Sequence, residues 1–160
     1  MTECGNTPMN VILYRPQIPQ NTGNIARLCA GTRVNLHLVG ELGFSLSDRY
    51  LKRAGLDYWP HVKLHLHDTL DDVLRLASPE NVAFYSTHAT KAYDTFDPPG
   101  EPFFIFGRET SGLPDALHEG EADRFYTIPT TDHIRSLNLS NSVAIVVFDA
   151  LRKRGFEFGA

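Results

Sequence analysis

Short apolar runs alternate with amphipathic stretches along this chain, and their spacing predicts its elements. Residues 10–14 (NVILY) are a buried-strand pattern closed by Arg15 and Pro16, and Pro19 should bar an early helix, leaving 16–27 as a loop. Ile25, Leu28, Cys29 and Thr32 then recur at helical spacing, while Asn24 and Arg27 share another face, so Arg27 should point off the core. Residues 36–39 predict a second strand, turned by Gly40 and Gly43. Residues 47–54 predict a short helix bearing Arg49, Lys52 and Arg53, capped by Ser47 and stopped by Gly55. In 62–67 apolar and polar residues alternate, so His65 and His67 should share the wet face of a strand.

Asp68 or Thr69 can cap a helix through Leu70, Val73, Leu74 and Ala77, ended by Ser78 and Pro79. A strand at 81–86, a Pro-rich loop at 87–102 too polar for the core, and a fully apolar strand at 103–106 (FFIF) follow. A short helix is expected at 113–118 and a strand at 125–128, broken by Pro129. The run 143–148 fits a buried strand or a buried helix by periodicity alone. Ser140 and Asn141 as N-caps, Arg152, Lys153 and Arg154 in a last turn, and Gly155 at C′ decide for helix. Its apolar residues surround the axis, which calls for cover on more than one side, by its own core and by a candidate second subunit.

Strands alternating with helices predict an α/β domain, a mostly parallel sheet flanked by helices, with ligands bound beyond the carboxyl ends of the strands. Three loops leave such ends and are rich in Gly, Asn, Ser and charge: 16–27, 107–114 and 129–141. No repeat or linker divides the chain, so a single domain is expected over 1–160, with 1–9 as a flexible leader.

Composition narrows the chemistry. The 160 residues suffice for one core that buries about 70% of the unfolded surface. Cys4 and Cys29 make no disulfide framework and sit in no zinc spacing, and neither a signal peptide nor a membrane-length apolar run is seen, so a cytoplasmic protein is expected. A net charge of −4 excludes a protein that holds nucleic acid mainly through its overall field. An RNA partner would have to meet local basic residues: Arg49, Lys52, Arg53, Arg108, Arg135 or the 152–154 cluster, which otherwise read as solvated helix faces. His65 and His67 lack a third metal ligand in sequence reach, so no metal is expected and they read as solvent-side histidines.

In the 107–113 loop (GRETSGL), glycines at both ends allow close backbone approach to a ligand, and Glu109 offers an acceptor or a base. Neither the dinucleotide fingerprint nor the phosphate-loop pattern is present. The NTGN and 136–141 segments add amides and hydroxyls that serve equally as helix caps.

Taken together, the three loops resemble a known family. PxIxxNxGNIxR is met by Pro16, Ile18, Asn21, Gly23, Asn24, Ile25 and Arg27, and FGxExxGLP by Phe106, Gly107, Glu109, Gly112, Leu113 and Pro114. IP followed by SLNLSNSVA is met by Ile128, Pro129 and residues 136–144. The chain is similar to SPOUT-superfamily RNA ribose 2′-O-methyltransferases, and RAGLDYW, from Arg53 to Trp59, is similar to the small subgroup that methylates the tRNA wobble nucleotide.

The resemblance implies a deep trefoil knot in the C-terminal part, bound S-adenosylmethionine and a homodimer packed through helices that include the last. It implies cofactor contacts from Tyr85, Gly107, Ile128, Ser136 and Leu137, and catalytic roles for Arg27, Glu109 and Asn138. Arg27 either activates the 2′-hydroxyl or, as its chemistry favours, holds the RNA phosphate beside the target ribose. The RNA partner would be the tRNA anticodon loop, with Lys52, Arg53 and Arg152 as candidate phosphate contacts. Alternatives at this stage are a methyltransferase for another RNA, a non-catalytic knotted RNA-binding protein, and a flavodoxin-like nucleotide binder.

Overall fold

The computed structural model describes residues 7–49, 51, 53 and 58–158. Strand β1 (Asn10–Tyr14) lies inside a seven-stranded sheet. On one side of it lie β2 (Asn35–Val39) and the edge strand β3 (Leu64–His67). On the other lie β6 (Phe103–Phe106), β4 (Val82–Tyr85), β7 (Phe125–Thr127) and the edge strand β5 (Lys91–Ala92). Every pairing among them is parallel.

The central strands β1, β4 and β6 are buried nearly throughout because both faces are covered, and side chains alternate between them. Val11, Leu13, Leu36, Leu38, Ala83, Tyr85, Phe104 and Phe106 face α1 (Pro19–Thr32) and α4 (Leu139–Lys153), which bury Ile25, Cys29, Val143, Val147 and Leu151 against them. Ile12, Val39, Phe84, Ile105 and Phe125 face α2 (Leu70–Leu74) and the segment with α3 (Asp115–Gly120), which contribute Val73 and Leu113. Burial pushes the Cys29 thiol up to about 12, which makes it a core residue and no nucleophile. Among the described residues no helix is long and apolar enough to cross a membrane.

Several boundaries differ from those read off the sequence, each for a local reason. Pro19 does not bar a helix: it occupies the first turn of α1, where its missing N–H has no intrahelical partner to lose, so Asn21, Thr22 and Gly23 are buried helix residues, not loop. The cap of α4 is Asn138, ahead of Ser140 and Asn141. Leu113 is buried before α3 begins at Asp115. The 87–102 stretch contributes β5 and a buried Phe96. Met9, expected in a leader, is buried, and its carbonyl accepts from Asn35 N. Of the expected 47–54 helix, Arg49, Leu51 and Arg53 are helical, while Lys52 and Gly55 lie outside the described residues.

His65 is exposed and His67 half-buried on one face of β3, as expected, and a third histidine joins them. His37 on β2, only 4% exposed, joins His65 and His67: its ring stacks on both, and its Nδ1 lies 2.9 Å from His67 Nε2. His37 Nε2 donates to Asn10 Oδ1 at 3.0 Å, and the Asn10 amide donates to Glu101 Oε1 at 2.8 Å. Burial, then the neighbouring His65 and His67, lower His37 to about 3 and keep it neutral. Among the described residues no group of three or more His, Cys, Asp or Glu could hold a metal ion.

Candidate active site at the carboxyl ends of the strands

β1 connects onward to β2 on one side and its neighbour β6 onward to β7 on the other, so the loops after β1 and β6 leave the sheet side by side at a topological switch point. Glu109 ties them together. Its Oε2 accepts from Gln17 N at 2.8 Å and its Oε1 from Ile18 N at 3.0 Å, at the N-terminus of α1, where the helix dipole favours a negative charge. Thr110 N and Oγ1 donate to Gln17 Oε1 at 3.2 and 2.7 Å. Both carboxylate oxygens therefore hold backbone, and the residue acts as a clamp.

The clamped loop is closed on itself by the Arg108–Gly112 bridge, with N–H···O distances of 3.1 and 2.9 Å. A Cβ on Gly107 would stand 2.2 Å from the Gly112 carbonyl carbon, so only glycine allows the two strands of the loop to approach this closely.

Asn138 makes the second tie. Its Oδ1 caps α4 by accepting from Ser140 N at 2.9 Å and Asn141 N at 3.3 Å, and its Nδ2 donates to Asn21 Oδ1 at 3.0 Å. Asn21 is 5% exposed in the first turn of α1. The start of α1 is thus bound to the β6 loop by Glu109 and to the start of α4 by Asn138. Asn21 and Gln17 complete the arrangement; the NxGN pattern was the sequence signal for Asn21, misread as loop, and Gln17 had none.

The other expected site residues surround this junction unevenly. Gly107 follows β6 directly, Ile128 follows β7 and is half-buried against the core, and Ser136 and Leu137 precede the Asn138 cap, exposed and half-buried respectively. Tyr85 ends β4 but turns its ring into the sheet–helix core, stacked on Phe106 at 4.7 Å. Its hydroxyl meets no partner among the described residues, and burial, then Tyr126 and Asp149, raise it well above the usual phenol range, so it remains a donor. Arg27 is exposed on α1, about 9 Å along the axis from Asn21. Its guanidinium carbon lies 4.8 Å from the centre of the Tyr58 ring.

Of the basic residues, Arg53 is exposed and helical, and Lys52 lies outside the described residues. Arg152 sits at the far end of α4, about 21 Å along the axis from Asn138, and pairs with Asp149 at 3.1 Å. Lys153 also pairs with Asp149, and Arg154 donates to the Thr7 carbonyl. Within one subunit this cluster does not reach the junction.

The lining suits a ligand with a flat apolar part and polar ends. Ile128 and Leu137 carry aliphatic side chains, Ser136 a hydroxyl, and the Gly107 loop a closely packed backbone, a set of groups that fits S-adenosylmethionine. A separate open groove of about 590 Å³ among Tyr14, Gly40, Thr69, Leu70 and Leu117 takes only Pro114 from the three loops.

A parallel α/β sheet whose switch point is bound by a Gly–Glu loop and an Asn-capped final helix marks a ligand-binding end, and the fold is that of solved SPOUT methyltransferases. The chain belongs to the SpoU rRNA Methylase family, whose sequence model matches residues 8–148. It is 44% identical over 155 residues to the tRNA (cytidine(34)-2'-O)-methyltransferase of Burkholderia ambifaria, covering 94% of this chain and 99% of that protein. A solved structure reported under "Structural insights into the 2-OH methylation of C/U34 on tRNA" superposes with a TM-score of 0.85 at 37% identity, covering 92% of this chain and 96% of that one. The AdoMet-bound rRNA methyltransferase of Sinorhizobium meliloti superposes with a TM-score of 0.80 at 26% identity, covering 91% of this chain and 56% of the other.

Proposed function

We propose that this chain transfers the methyl group of S-adenosylmethionine to the ribose 2′-hydroxyl of the wobble nucleotide of tRNA, a cytidine or uridine at position 34. The observation that carries the reading is the junction at which Glu109 and Asn138 bind three loops into one site at the switch point. The names of full-length relatives supply the nucleotide.

Bound there, S-adenosylmethionine supplies an electrophilic methyl group. Backbone groups at Gly107 and Ile128 hold its adenine and ribose, with Ser136 and Leu137 closing the pocket and Tyr85 supporting it from the core. Glu109 and Asn138 act on the reaction by holding these loops in place. Arg27 would grip a phosphate beside the target nucleotide and align the 2′-hydroxyl with the methyl group that the cofactor would supply, the hydroxyl proton passing to solvent.

The same reading includes a homodimer. Val143, Val146, Val147 and Leu151 face the sheet, yet Phe148 on the same helix is 44% exposed, and Phe156 and Phe158 beyond it are 51% and 47% exposed. A second copy would cover this face. Val146 is 3% exposed, so a charge there would unfold the subunit; Phe148→Glu is the probe, and a dimer that survives it on size exclusion would overturn the assignment. The reading also includes threading of the 129–138 segment as a knot, supported by α4 returning from β7 to pack on α1, and a cytoplasmic place of work, where tRNA is.

The deciding experiment incubates unmodified bulk tRNA with the protein and S-adenosylmethionine and maps 2′-O-methyl groups. Methylation at position 34 is expected; methylation elsewhere in tRNA or rRNA instead would replace the substrate, and none would overturn the reading.

A further inference from the structure

The RAGLDYW motif is similar to that of the wobble subgroup, and of its residues only Arg53 has so far been given a task, as a candidate phosphate contact. Its last two residues, Tyr58 and Trp59, lead into a 3₁₀ turn (Trp59–His61) that packs on α1. Trp59 and Val62 are half-buried against the core, and the Tyr58 carbonyl accepts from His61 N at 2.9 Å. The turn therefore holds Tyr58 firmly in front of the exposed face of α1.

On that face, Arg27 lies over the Tyr58 ring at 4.8 Å, inside the range of about 6 Å in which an aromatic ring attracts a cation. Among the described residues its guanidinium meets no carboxylate. The difference matters chemically. A carboxylate would occupy two of the five N–H donors and neutralise the charge, whereas a ring attracts the cation through its face and leaves the donors free. A long, exposed arginine otherwise samples many rotamers, and ordering it when RNA binds opposes catalysis.

We infer that Tyr58 is a positioning residue for methyl transfer: its ring preorganises Arg27 for the substrate RNA while leaving the guanidinium charged and its donors open. The inference rests on the methyltransferase reading, in which Arg27 grips the RNA. It also explains why an aromatic belongs at this point of the motif, on the turn that faces α1.

The test is single-turnover methyl transfer to unmodified bulk tRNA by the full chain, comparing the parent with Tyr58→Leu, Tyr58→Phe and Arg27→Ala. An exposed cation–π contact predicts a loss of about five-fold in the rate constant for Tyr58→Leu, with S-adenosylmethionine affinity by calorimetry unmoved. Tyr58→Phe, which keeps the ring, should recover the rate to within about two-fold of the parent, a rescue that a lost hydroxyl contact or a general loosening of the turn would not show. In the parent, the Arg27 Nε–H proton should resonate upfield of other exposed arginines because it lies under the ring; this measurement stands even where Tyr58→Leu fails to fold. Tyr58→Leu with the parent rate, beside an inactive Arg27→Ala, overturns the inference and leaves the methyltransferase reading intact, as does an unshifted Arg27 resonance. A parent that leaves tRNA unmethylated overturns both.

Discussion

Two polar networks cross the sheet, one at its β2–β3 edge and one at its switch point, and they are built to opposite ends. At the edge, Asn10 Oδ1 receives the Nε2–H of His37 and the amide of Asn35, the Asn10 amide goes to Glu101 and the Pro102 carbonyl, and His37 meets His67. The groups satisfy one another, and His37 stays neutral because burial, then the neighbouring His65 and His67, disfavour its charged form. At the switch point, Glu109 and Asn138 hold backbone and Asn21, while Ser136 beside them and Arg27 on α1 are left exposed. A closed network specifies structure; one whose bonds fix the frame and leave the rim open serves a ligand.

The contrast can be broken most sharply at Arg27. Arg27→Ala should lower methyl transfer by about 100-fold or more, since misplacing one reacting group by an ångström has that scale, while calorimetric S-adenosylmethionine affinity holds. Near-parent transfer would remove Arg27 from the site. Asn138→Ala should lose both the α4 cap and the Asn21 bond, about 2 kcal/mol together, seen as a melting temperature lower by about 6 °C and as weaker cofactor binding. An unchanged melt would show that the junction is not a frame.

The edge network predicts acid sensitivity without a catalytic signature. The folded protein keeps His37 neutral down to about pH 3, whereas the unfolded chain takes up its proton near 6.5. Unfolding therefore binds a proton in that window, and stability should fall by about 1.4 kcal/mol per pH unit on going from pH 6 to pH 4. His37→Asn should flatten this slope in a melting series against pH and leave methyl transfer at pH 7.5 largely in place; an unaltered slope would assign the acid sensitivity elsewhere. The smallest effect belongs to Arg53, exposed on the surface: Arg53→Glu should weaken tRNA binding and reduce its salt slope by about 1, against no change if the residue is a solvated face.

Much of the architecture was legible in the residue pattern. NVILY, NVAFYS and FFIF are apolar on both faces, and only a sheet covered on both sides buries such runs, so the α/β arrangement follows from local sequence. The loops at 107–114 and 129–138 were legible too, because glycines and asparagines at strand ends leave few other uses, whereas most of the expected 16–27 loop is the start of α1. Boundaries were less so. Pro19 reads as a helix breaker by its chemistry alone and as a helix starter only when its position is known, and Asn138 was not recognised as the α4 cap beside the equally suitable Ser140 and Asn141.

By itself, the sequence determined most strands and the final helix, the loop groups after β6 and before α4, and the family to which their order belongs, but not the start of α1 or strand β5. Tertiary structure alone decided partners that are far apart in the chain: Glu109 with Gln17 and Ile18, Asn138 with Asn21, His37 with His67, Arg27 with Tyr58. Periodicity reports which face of an element is wet. Which element stands opposite is set by strand order, and a parallel sheet assembles that order across separations of tens to more than a hundred residues, where local pattern carries no information.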